Sequence, residues 1–576
     1  MKIFSFALAI LTMGAPLASA EDFGDRRNRE APHTKTHFPL RQFASLAEWE
    51  AHKAVIQRQI LASAGMLPLP PKTPLGVKRT GRVDAGGYFW EKVVFEPLPG
   101  FFVAGNLYLP KQQRGRAPAM LIAHGHWKNG RIHNAPDYSV PALAANLAQQ
   151  GYIAFAYDMI GYNDTRQLKH DLGDSASEQL WSFGSLGLHL WNSLRAVDVL
   201  ESLPEVDPRR IGMTGASGGG TQTFLLAAVD PRIQVAIPVN MVSATFQGDD
   251  ACEMSPALRI GTNNVEIAAM MAPRPMLLLS ATGDWTKLSP TEEFPAIRAI
   301  YELYGQAGRL WHRHIDAGHN YNQQSREAVY AYLARVWRRP FRLSAAPREK
   351  AILPAKLESL LVGAIKPEGG VAGHKEIFSQ WQRMSNEQAA ARPAAEQRRV
   401  FEQILGVSWP KQVRTFVSGE YLLLEGRAGS DRVPTRGKPG ATVVVDPDGE
   451  LKTLAPAGGT LRVDIFQTGA ATAERGSVRG DFLTFRRSDD AERVQDILTA
   501  LFYAHSAQPT KLRLVCGKRA ALWCLAAAAL APVPVQFAPA EPLGDLPDAE
   551  LAKRLFIPGF QRAGGVSGLE KILRSK

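Results

Sequence analysis

One pentapeptide limits what this chain can become more than any other stretch. Gly215-Ala216-Ser217-Gly218-Gly219 is entered from the strand-like run RIGMT, and the apolar helical pattern SGGGTQTFLLAAV follows at once. A serine on a sharp strand-to-helix turn has its hydroxyl pushed outward, and its neighbours must be small because other backbone passes close by. With 50 glycines in 576 residues, chance supplies roughly 0.2 such pentapeptides, so the flanking strand and helix carry the reading. A phosphate-binding glycine turn is the competing form. It would need a G-K-[ST] ending or G-x-G-x-x-G spacing, and the chain has neither here.

The turn lies inside a regular alternation. EKVVFEP and FFVAGNLYLP, separated by Leu-Pro-Gly, predict an antiparallel hairpin. AMLIAH, YIAFAYD, RIGMTG, QVAIPVN, PMLLLSAT and RHIDA read as strands, spaced by helices such as SVPALAANLAQQG and SLGLHLWNSLRAVDVLESL. Apolar strands divided by helices need both sheet faces covered, which predicts an α/β fold with a parallel sheet. A second series begins at ATVVVDPDG and repeats the first in shortened form. RVQDILTAL at 493–501 parallels RAVDVLESL at 195–203, and KLRLVCGKRAALWCLAAAA at 511–529 parallels 210–228, with Gly517 on Gly215. The same grammar would also arise from any two βα units. Arg519 then falls at the place of Ser217, and no histidine follows His505, so the second series lacks a nucleophile and base.

The expected layout is a signal segment at 1–20, a helical lead and Pro-rich connector at 21–86, and a catalytic domain at 87–342. A partly helical linker at 343–440 and the shortened α/β domain at 441–576 complete it. Lys2, the apolar run to Leu11 and Ala18-Ser19-Ala20 form the signal pattern, predicting a periplasmic or secreted chain starting at Glu21. ALWCLAAAALAPVPVQFA is broken by Pro532 and Pro534, so it predicts a buried helix and strand, and no membrane insertion is expected after signal removal. Cys252, Cys516 and Cys524 are too few for a disulfide scaffold, and their odd number leaves at least one unpaired.

A serine hydroxyl is a poor nucleophile unless a base takes its proton. Two strand ends offer the partners: Asp284 after PMLLLSAT and His319 after RHIDA. Asp249, Asp250 and Glu253, on the loop after QVAIPVN, compete as the acid, with Glu253 the alternative. The oxyanion is expected to meet the backbone N–H of Gly218 and a second from the loop His124-Gly125-His126-Trp127, at His126 or, second, Trp127. The H-x-H pair invites a zinc reading, but no third ligand with zincin spacing follows, so no metal or other cofactor is expected. Trp127 and Arg131 are candidate substrate contacts, Arg131 for an anionic group or as a solvated loop charge.

These residues resemble the α/β-hydrolase superfamily over about residues 40–340, and more narrowly exported bacterial acetyl xylan esterases and pectin-acting carbohydrate esterases. The carriers are LPLPPKTPL, GNLYLP, HGHWKNGR, AYDMIGYNDT, GASGGGTQT, NVEIAAMMAPRPMLLLSATGDWT and DAGHNYN. The resemblance implies an α/β-hydrolase domain followed by a degenerate α/β-hydrolase-like domain, with Ser217 as nucleophile, His319 as base and Asp284 as acid. Glucuronoyl esterases place Arg directly after the serine, and Gly218 stands here, which sets the chain apart from that branch. The loop HGHW likewise differs from that of deacetylases related to cephalosporin deacetylases.

The expected function is therefore hydrolysis of acetyl or methyl esters on a carbohydrate polymer. The 67 basic and 55 acidic residues leave a charge of +12, or +11 without the signal, which suits an acidic polysaccharide, and nucleic acid is not an expected partner. Two other classes compete. A prolyl-oligopeptidase-type peptidase needs a propeller that the ~65 residues before Gly87 cannot form. A non-catalytic polysaccharide-binding protein would have no use for the full set of Ser217, Asp284 and His319.

Overall fold

A computed structural model describes residues 23–576 apart from 114, 338–347, 351–355, 364–371, 428, 452–458 and 477–479. The expected signal segment 1–20 lies outside the described residues. Sixteen strands among the described residues form two sheets. The first contains β1 (Lys78–Asp84), β2 (Tyr88–Leu98), β3 (Phe101–Pro110), β4 (Ala117–Ala123), β5 (Ile153–Tyr157), β6 (Val206–Ala216), β7 (Ile233–Val239), β8 (Met276–Gly283) and β9 (Leu310–Gly318). Their order is β1-β2-β3-β5-β4-β6-β7-β8-β9. The first three strands run antiparallel and from β5 onward all neighbours are parallel.

Local chemistry explains these elements. Every residue of β4 and β5 is buried, as continuous apolar strands covered on both faces must be. Pro99 and Gly100 turn β2 into β3, and Gly100 has the positive φ (+74°) that the second corner of such a turn requires. The helix Leu46–Ser63 starts where the Ser45 hydroxyl accepts the Glu48 N–H and ends before Gly65 (φ +69°), in line with the expected lead. The parallel strands all end at one sheet edge, so the loops after β4, β5, β6, β7, β8 and β9 converge there.

The second sheet contains β10 (Arg414–Ser418), β11 (Tyr421–Glu425), β12 (Val433–Gly437), β13 (Thr442–Val445), β14 (Thr460–Val463), β15 (Leu512–Cys516) and β16 (Val535–Pro539), in the order β10-β11-β12-β14-β13-β15-β16. Strand for strand, that order and its pattern of antiparallel and parallel pairs match β1-β2-β3-β5-β4-β6-β7. Three of these strands lie in 343–440, a stretch expected to be a linker, alongside the helices His374–Ala391 and Ala394–Leu405. β10 is exposed along most of its length, Val417 to 82%, so it carries no buried alternation to announce it. After β15 comes the fully buried helix Ala521–Leu530, pinned by the Cys516–Cys524 disulfide, while Cys252 is unpaired. Among the described residues no helix is long and apolar enough to cross a membrane.

The two halves are tied by backbone. Ala257 and Arg259 donate their N–H groups to the carbonyls of Leu483 (2.7 Å) and Thr484 (2.8 Å). The lead joins in. Arg27 bonds Asp496 (Nη1–Oδ1 2.7 Å) on the helix Asp489–Ala507, and the Gln247 N–H donates to the Thr34 carbonyl at 2.9 Å.

Candidate active site

Ser217 is the single residue between β6 and the helix Gly218–Val229, and its backbone takes φ 58°, ψ −127°. A non-glycine residue held there costs about 1–3 kcal/mol, which persists only where the surroundings fix it. They do. The Ser217 N–H donates to the Val239 carbonyl on β7 (3.2 Å), and its own carbonyl accepts from Gly220 (2.7 Å) and Thr221 (3.0 Å). Two flanking glycines are required by space alone. A Cβ on Gly215 would stand 2.4 Å from the Ala123 oxygen, and one on Gly219 would stand 2.2 Å from the same atom.

β8 and β9 are neighbours with Gly283 opposite Gly318, and the next residue on each strand is Asp284 or His319. That register places acid and imidazole side by side, with His319 Nδ1 3.0 Å from Asp284 Oδ2. The Asp284 side chain is only 1% exposed, and its other oxygen accepts both the N–H (2.6 Å) and the hydroxyl of Thr286. His319 Nε2 is buried and makes no hydrogen bond among the described residues. The ring contacts two indoles, parallel to Trp127 (5.5 Å, 7°) and tilted against Trp285 (4.5 Å, 37°). Trp285 was not singled out from sequence, although its place directly after Asp284 was the available signal.

The loop after β4 lies on the serine turn. A Cβ on Gly125 would come within 2.9 Å of Ser217 Cβ, and one on Gly218 within 2.8 Å of His126 Cε1. Gly218 is the first residue of its helix, so its N–H has no acceptor within that helix. His124 is buried, and burial pushes its pKa down to about 3. Its Nδ1 bonds the Gly125 carbonyl (2.7 Å) and its Nε2 accepts the Met159 N–H (3.0 Å), so the H-x-H pair does not act together. His126 turns elsewhere, with Nε2 3.1 Å from Cys252 Sγ and 3.6 Å from Asp250 Oδ2. His170, from the loop after β5, joins them at 3.1 Å from Asp250 Oδ1. This grouping was missed from sequence because its members come from three separate loops.

Two expected residues stand apart. Arg131 is fully buried, paired with Asp158 and Asp164 (2.6 Å) and bonded to Asn106 Oδ1 (2.9 Å), so as a substrate contact it is corrected to a structural ion-pair centre. Glu253 is buried, which pushes its carboxyl up to about 7, and it accepts the Asp249 N–H (3.1 Å), with no hydrogen bond to His319 among the described residues. Trp127 remains at the cleft, its indole N–H on Asp137 (2.7 Å).

Residues 106–265 match the model of a family described as glucuronyl esterase, fungi. YtaP of Bacillus subtilis (strain 168), a protein named as a hydrolase, is 29% identical over 235 residues, spanning 37% of this chain and 74% of YtaP. A 4-O-methyl-glucuronoyl methylesterase of Cerrena unicolor is 23% identical over 333 residues, or 51% of this chain and 66% of that enzyme. The solved structure of methylesterase BT1017 is 25% identical, with a likeness over 60% of this chain and 78% of that one and a TM-score of 0.49. That structural likeness is too loose to bear on the fold, which is read from the strand order. The matched stretch 106–265 contains Ser217 and Gly218, so the glycine expected to set the chain apart from glucuronoyl esterases does not prevent a likeness to that family. The His126 imidazole occupies the space that a side chain at 218 would take.

Proposed function

We propose that this chain, a carboxylic ester hydrolase of the carbohydrate-esterase type, cleaves the methyl ester of a uronic-acid residue in a polysaccharide by a Ser217–His319–Asp284 mechanism. One observation supports the mechanism: the register of β8 and β9 pairs His319 with Asp284 at the same sheet edge where the serine stands on its strained turn. In this reading His319 Nε2 takes the Ser217 proton as the hydroxyl oxygen adds to the ester carbonyl. The N–H groups of Gly218 and His126 receive the oxyanion. The carbon–oxygen bond to the alcohol breaks, the imidazolium returns its proton to the departing methoxide, and methanol leaves. Water, deprotonated by the same nitrogen, then frees the carboxylate and restores the serine. The two indoles support the transient imidazolium by cation–π attraction.

The name of the Cerrena unicolor relative and the net positive charge support the uronic ester over an acetyl ester. Export of the mature chain is supported by the signal pattern in 1–20 and by the Cys516–Cys524 pair, which suits an oxidising compartment. The matching strand order supports reading the second sheet as a degenerate α/β-hydrolase-like domain, in which Arg519, paired at the surface with Asp448 (3.3 Å), takes the place of the serine. The test is a substrate panel of methyl glucuronate, methyl-esterified pectin, acetylated xylan and a peptide, scored for methanol, acetate and amine. Methanol release that disappears in Ser217→Ala is expected. Acetate release without methanol overturns the uronic ester, and no turnover of any ester overturns the mechanism.

A further inference from the structure

We infer that His126, His170, Asp250 and Cys252 form a binding site for a divalent transition-metal cation of the zinc class beside the Ser217 turn. One ligand atom from each residue lies within 4.8 Å of all the others. The separations are 3.1 Å from His126 Nε2 to Cys252 Sγ, 3.6 Å to Asp250 Oδ2, and 3.1 Å from His170 Nε2 to Asp250 Oδ1. Zinc bonds of about 2.0–2.3 Å in a tetrahedron put neighbouring ligand atoms about 3.3–3.8 Å apart, so small side-chain adjustments close the shell.

The surroundings favour this reading. His170 Nδ1 lies 2.8 Å from the Ile160 carbonyl, which aims Nε2 into the group as outer carbonyls do for metal-bound histidines. Two imidazoles, a thiol and one carboxylate make a donor set for zinc-class ions rather than for magnesium or calcium, which take oxygen ligands. The side chains of His126 and Asp250 are 26% and 29% exposed, which leaves an ion a way in, while Cys252 closes the inner side. On binding, the Cys252 thiol gives its proton to solvent and ligates as thiolate. The loops after β4, β5 and β7 supply the four residues at the sheet edge where Ser217 stands. His126 also borders Gly218, so a cation held there flanks the oxyanion position. That last consequence rests on the esterase reading, and the binding itself does not.

Cys252 is the only cysteine of three outside the disulfide, which makes a sulfur-specific signal diagnostic. The full mature chain, stripped of metal, is titrated with cobalt(II) and then with zinc. One cobalt per chain is expected, with a thiolate-to-cobalt charge-transfer band in the near ultraviolet that one equivalent of zinc removes. Cys252→Ser abolishes the band. His170→Gln weakens zinc binding on the order of a hundredfold, with Asp250→Asn as the second reading if that variant does not fold. Ser217→Ala keeps the band while losing ester turnover, which separates this test from that of the esterase reading. A wild type that shows no band, or a band that survives Cys252→Ser, overturns the site.

Discussion

Replacing Asp284 by asparagine keeps the side-chain shape, removes its charge and turns one of its two acceptor atoms into a donor. The carboxylate oxygen that faces Thr286 accepts two donors, the backbone N–H at 2.6 Å and the hydroxyl. An amide must keep its carbonyl oxygen there, because the NH2 group would face two donors with none of its own hydrogen bonds made. The NH2 group is therefore forced to the other position, 3.0 Å from His319 Nδ1. It donates, Nδ1 must accept, and the ring proton moves to Nε2, the atom that takes the serine proton in the proposed mechanism. A histidine locked in the wrong tautomer costs about 10⁴-fold in kcat, or about 5.5 kcal/mol of transition-state stabilisation. KM should hardly change, because the Asp284 side chain is 1% exposed and out of reach of substrate. Steady-state methanol release from methyl glucuronate measures both constants. Adding Thr286→Val to Asp284→Asn removes one of the two locking donors and should recover part of the loss. A fall in kcat below about tenfold, or an equal fall in Glu253→Gln, refutes the assignment of the acid.

Two further outcomes follow from burial. Arg131→Met leaves Asp158 and Asp164 without their cation and should lower stability by about 3–5 kcal/mol in urea unfolding, with KM of the folded enzyme unchanged; a raised KM at unchanged stability would restore Arg131 as a substrate contact. His312 is pushed down to about 4, first by burial and then by the neighbouring His314, so the folded chain binds its proton less readily than the unfolded chain. Its contribution is therefore complete above pH ~6.5 and lost as pH falls through ~4, worth about 2 kcal/mol once partial exposure is discounted. Urea titrations at both ends of that window should show His312→Gln losing less stability than wild type on acidification, and equal losses would contradict the burial argument.

Much of the site could be read from the residues because its parts are local. The serine turn needs glycines within two positions, and Asp284 and His319 each directly follow the end of a strand. Other features depend on distant partners. Arg131 looks like a loop charge until the segment after β5 brings Asp158 and Asp164 to it. His126 reads as half of an H-x-H pair until His124 turns to the backbone and Asp250 and Cys252 arrive from beyond β7. β10 to β12 are only five residues each, and β10 is open to solvent, so none of them is long enough to show a clear alternation. Gly218 illustrates a different limit: the missing side chain was visible, but the imidazole standing in its space was not.

The ties between the lead, the loop after β7 and the second sheet set an order of events for a chain made from its N-terminus. Arg27 has to wait 469 residues for Asp496, and Ala257 and Arg259 wait for Leu483 and Thr484. The first sheet can pair as soon as β9 has emerged, yet the loop that carries Asp250 and Cys252 gains its outer backbone bonds only when the last quarter of the chain exists. Completion of the loop beside the serine turn is therefore a late event in biogenesis. A chain cut short before residue 483 keeps its serine, acid and histidine and still lacks the brace that holds the neighbouring loop.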